Sequence, residues 1–107
     1  MTLSMCNKIT EHINKAYLKH PLFVDRLPAK TPQAAEANLA LCREQLARKK
    51  ELLLVEPDDL LTCEMAGVWA AYAKGDIDNA IDEVFDAIAV LVRLVARLVA
   101  EKEEVTK

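Results

Sequence analysis

The chain has 107 residues, of which 52% are hydrophobic but only 5% aromatic, with two Gly, four Pro and a net charge of −3. That length bounds a single domain, residues 1–107, with a modest core. An apolar set dominated by Ala, Leu and Val excludes a sandwich or barrel and points to an all-α protein. No basic stripe exists to bind nucleic acid, and a mildly acidic surface is a poor match for an anionic membrane.

Three cysteines at wide spacing, Cys6, Cys42 and Cys63, form neither a zinc motif nor a disulfide framework. They are expected as reduced, half-buried thiols. The N-terminal stretch lacks the basic and apolar regions of a signal peptide. The apolar run 84–100 is interrupted by Asp86, Arg93 and Arg97, which argues against a membrane span. A cytoplasmic location is the expectation.

Taken in order, the first predicted helix runs from Ser4, as N-cap, to Lys19, with Ile9, Ile13 and Tyr17 on one face. His20-Pro21 ends it, and residues 21–30 read as an ordered connection. Thr31-Pro32 supplies an N-cap and a proline at the first helical position. The second helix continues to Glu51, with Leu39, Cys42 and Leu46 as its apolar stripe. The sequence Glu56-Pro57-Asp58-Asp59 opens a third helix, placing acids where the helix dipole favours them. Lys74-Gly75-Asp76 closes it with a cation, an αL glycine and the next N-cap. A fourth helix is expected from about Ile77 to Glu101 or beyond, with the tail 101–107 fraying.

The turn at Gly75 is tight enough to force the third and fourth helices antiparallel. The fourth helix carries more apolar surface than three partners of a small monomer can cover, and the excess predicts a homodimer. The expected architecture is therefore an antiparallel four-helix bundle, dimeric through its fourth helix.

Within this frame Glu83 and Asp86 attract notice, because residues three apart share a helix face. Glu64 lies about ten residues before the turn and the pair about eight to eleven after it, so all three are expected to meet across the hairpin. Converging carboxylates repel unless a hard cation or basic side chains neutralise them. Asn79 falls on the same face as Glu83 and is a candidate ligand or substrate contact. The ordinary alternative is a pair of acids salt-bridged to Lys or Arg.

The run from Cys63-Glu64-Met65-Ala66-Gly67 through Ala73-Lys74-Gly75-Asp76 to Glu83-Val84-Phe85-Asp86 resembles the MazG-like all-α nucleoside triphosphate pyrophosphohydrolases. Those proteins carry E-E-x-x-E and E-x-x-D motifs on successive helices joined by a short Gly-Asp turn. The resemblance implies Mg²⁺ held by Glu64, Glu83 and Asp86, and cleavage of an NTP or dNTP to NMP and pyrophosphate. It covers about the second half of the chain. Two acids of the pattern are absent: Cys63 stands at the first Glu of the leading motif and Gly67 at the third. A soft thiol does not replace a carboxylate on Mg²⁺. The resemblance thus leaves open a catalytically inactive scaffold or interaction protein of the same fold, and it names no general base.

Overall fold

A computed structural model describes residues 3–21, 26–28 and 30–106. The described residues form four α-helices and no strand: α1 (Leu3–Lys19), α2 (Pro32–Glu51), α3 (Pro57–Ala73) and α4 (Ile77–Thr106). Part of the expected connection, residues 22–25 and 29, lies outside the described residues. No helix among them is long and apolar enough to cross a membrane.

The helix ends follow the local chemistry. Thr31 caps α2, its Oγ1 accepting from the Ala34 N–H at 3.2 Å, with Pro32 in the first turn. At the start of α3, the Glu56 N–H donates to Asp59 Oδ2 at 2.9 Å. Gly75, at φ +79, lets the Gly75 and Asp76 N–H groups bond back to the carbonyls of Tyr72 and Ala71, a Schellman ending. Asp76 then caps α4, its Oδ1 accepting from the Asn79 N–H at 3.3 Å. The α4 helix passes Glu101 and continues to Thr106, so most of the tail expected to fray is helical.

Helix α3 is the centre of the fold, packing on α2 along one side and on α4 along another, while α1 packs on none of the three. Ala35 and Leu39 of α2 meet Ala66 and Ala70 of α3, with Cys42 and Ala73 closing around them. Side chains this small bring the helices close. Lys74 at the end of α3 pairs with Glu36 near the start of α2, and Lys49 at the far end of α2 with Asp59 at 2.6 Å. The hairpin of α3 and α4 buries Gly67, Val68 and Ala71 on α3, and Ala80 and Ala87 on α4.

The array is open. Its radius of gyration is 16.6 Å, against about 13 Å for a compact chain of this length. Ile9, Ile13 and Tyr17 of α1 remain exposed, as do Ile81, Phe85 and Ile88 of α4. Cys6, Cys42 and Cys63 are free and half-buried.

Candidate metal centre

The α3–α4 hairpin brings Glu64, Glu83 and Asp86 together: one carboxylate oxygen from each lies within 4.8 Å of the others. The cause is simple register. Gly75 folds the chain back, and side chains at similar distances from it face each other. Glu64 and Glu83 are half-buried and Asp86 is exposed, so the cluster opens at the surface on the edge of the hairpin.

Three acids at this spacing repel. Burial, contact with the Glu83 carboxylate and the charges of Glu83 and Asp86 all push the Glu64 carboxyl above its ordinary range. The charge of Arg43 on α2 draws it partly back. None of the ion pairs found among the described residues involves Glu64, Glu83 or Asp86. The salt-bridged alternative therefore finds no partner in the described ion pairs.

The donor set fits a hard divalent cation. Carboxylates are the oxygen ligands that Mg²⁺ and Ca²⁺ take, and bond lengths near 2.0–2.6 Å separate ligand oxygens by ~3–5 Å around one ion. Oxygens within 4.8 Å need only small torsional adjustments to meet that condition. Three protein ligands leave room for the waters that Mg²⁺ usually keeps.

The two departures from the family pattern have different structural meanings. Cys63 is half-buried, and burial pushes its thiol up, away from the thiolate. Gly67 is buried, and its missing side chain is used: a β-carbon there would stand 2.7 Å from Glu83 Oε2. Glu83 thus occupies the space that a side chain at 67 would claim.

Asn79 lies one turn before Glu83 on the same face of α4, exposed and outside the three-carboxylate cluster. Arg43 is the residue that sequence reading passed over. It stands on α2, far from the acids in sequence, and the antiparallel α2–α3 pairing brings its charge within range of Glu64. Arg97 pairs with Glu101 at 4.0 Å, the i, i+4 contact its spacing suggests. Trp69 and Tyr72 pack edge to face at 6.4 Å, and His12 and His20 are exposed. A cleft of about 400 Å³ lined by Cys42, Gln45, Lys49, Asp59 and Thr62 contains none of the three carboxylates. Against known proteins, no family model, curated protein or solved structure matches this chain.

Proposed function

We propose that the protein is a divergent, Mg²⁺-dependent nucleotide pyrophosphohydrolase of the MazG-like type, cleaving an NTP or dNTP to NMP and pyrophosphate and working as a homodimer. The observation that carries this reading is the convergence of Glu64, Glu83 and Asp86 with no ion-pair partner among the described residues. Glu64, Glu83 and Asp86 would hold the cation. When bound, Mg²⁺ neutralises charge on the phosphates and acidifies water for attack.

The surrounding residues suit a polyanionic substrate. The charge of Arg43 acts on Glu64, and its guanidinium would offer a fork of donors to phosphate oxygens. Asn79 offers an amide on the same α4 face. The half-exposed setting leaves the cluster accessible to a nucleotide without any opening movement. The fold class agrees: all-α, with the acids on an antiparallel hairpin.

The deciding measurement is Mg²⁺-dependent release of pyrophosphate across a panel of NTPs and dNTPs, with Glu83→Ala as control. Turnover that is lost in the variant supports the hydrolase. Equal turnover in the variant, or none on any nucleotide, overturns it and leaves the catalytically inactive scaffold as the reading.

A further inference from the structure

Among the described residues, one face of α4 has no partner. Helix α4 packs on α3 alone, through the side that carries the buried Ala80 and Ala87. A second side carries Ile81, Val84, Phe85, Ile88, Leu91 and Val95, each 40–64% exposed. At ~100° per residue these project as one stripe. The stripe extends from Ile77 to Val99 and contains no charged residue. Asp86 and Glu83 lie well around the helix from it, toward the opposite side.

Three observations identify what covers this stripe. It is a contiguous apolar face along the whole of Ile77 to Val99, with the side chains that define it each at least 40% exposed, the kind of surface that a stable interface buries. Its length, about 33 Å at 1.5 Å per residue, exceeds the apolar stripe of α1, which runs from Met5 to Tyr17 and would cover little more than half. A second α4 matches it end to end. Finally, α4 outruns α3 by 30 residues to 17, so its C-terminal part projects beyond the hairpin and is free to lie along another molecule.

We infer that two copies pair through this stripe with their α4 helices antiparallel, crossing near Ile88, the midpoint between Ile77 and Val99. The pairing extends the homodimer proposed above by fixing its interface. It places the two acidic clusters on outer faces of the dimer, each complete within one chain. Ridge-into-groove packing of β-branched and Leu side chains suits such a helix pair. The isologous arrangement closes on itself and leaves no stripe free for further addition.

The test uses the full chain. Sedimentation equilibrium at tens of micromolar is expected to give twice the chain mass, and Ile88→Glu, an exposed position in the single chain, is expected to give the chain mass with unchanged helicity. In a background of Cys6→Ser, Cys42→Ser and Cys63→Ser, Ile88→Cys is expected to cross-link between copies on oxidation by oxidised glutathione. The two thiols become one disulfide, and glutathione disulfide is reduced to two thiols. Asp82→Cys, on the outer side, is expected to remain uncross-linked. A wild-type monomer overturns the dimer and this interface together, and would follow if the chain's own α1 covered the stripe. A dimer that survives Ile88→Glu, or cross-links equally at 82 and 88, overturns the interface alone. Neither outcome touches the cation site of the hydrolase reading, because each acidic cluster is complete within one chain, and Mg²⁺ binding by Ile88→Glu is expected to equal that of the wild type whatever the oligomeric state.

Discussion

Glu83 reaches the acidic cluster because Gly67 has no side chain. A β-carbon at 67 would lie 2.7 Å from its Oε2 and 3.0 Å from its Cδ, closer than packed atoms allow. The atoms in the way belong to the end of a flexible side chain, so Gly67→Ala moves Glu83 rather than the backbone. Replacing a helical Gly by Ala contributes up to ~1 kcal/mol to stability. The expected variant is therefore as stable as the parent or more so, yet binds Mg²⁺ several-fold more weakly by calorimetry. Undiminished affinity would mean that the position of Glu83 is irrelevant to the cation.

The repulsion within the cluster makes a prediction for the metal-free protein. Glu64 has a folded-state pKa above its ordinary 4.5, so the folded state holds a proton that the unfolded chain has released. Stability accordingly falls as pH rises from about 4.5 through the raised value, and the full penalty applies above it. Glu64→Gln should flatten that slope. It should also raise stability at neutral pH by roughly a few tenths of a kcal/mol, the scale of a like-charge pair on a helix surface. Denaturant titrations from pH 4 to 8 decide it. Added Mg²⁺ should reverse the ranking, stabilising the parent more than the variant.

The antiparallel hairpin and the meeting of its acids were legible because they depend on counting. A glycine in αL conformation fixes the turn, and equal distances from a turn imply contact. Helix starts at Thr31-Pro32 and Glu56-Pro57 were legible for a similar reason, since capping chemistry is local. What escaped was everything set by tertiary pairing between distant segments. Arg43 sits on α2 with nothing nearby in sequence to connect it with Glu64. The polar tail beyond Glu101 reads as fraying, but a helix already nucleated over many turns continues at little cost per residue, and α4 runs to Thr106. Gly67 was legible in part: a glycine inside a helix suggests close approach or a missing ligand, and the structure shows the close approach, with Glu83 of α4 in the space a side chain would claim.

Asp59 links the first turn of α3 to the last turn of α2. One oxygen accepts from the Glu56 N–H and the other from Lys49 Nζ, and both contacts hold its carboxyl below the usual range, the Lys49 contact more strongly. Because the folded pKa lies below the unfolded 3.8, this contribution is present above that value and is lost as pH falls through the folded one. Asp59→Asn is expected to lower Tm at pH 7 by a degree or more, with the difference from the parent shrinking below pH 4. A difference that persists unchanged at pH 2.5 would show that ionisation of Asp59 is not its source.

Leu53 adopts φ 58, a left-handed conformation that a non-glycine L-residue takes at a cost of about 1–2 kcal/mol. The reason lies in how α2 ends. The Leu53 N–H bonds to the Lys50 carbonyl at 3.2 Å and the Leu54 N–H to the Lys49 carbonyl at 2.9 Å, the same Schellman geometry that Gly75 serves after α3. Here a leucine, 91% exposed, stands where glycine is favoured. Leu53→Gly removes the strain and sacrifices no buried surface, though a freer unfolded chain offsets part of the gain. A net rise of ~0.5–1 kcal/mol in unfolding free energy is expected, read as a higher urea midpoint with an unchanged m-value. Leu53→Val should shift the midpoint the other way, since branching at the β-carbon makes the left-handed conformation harder still. If both variants moved the midpoint in one direction, backbone strain at 53 would not be the cause.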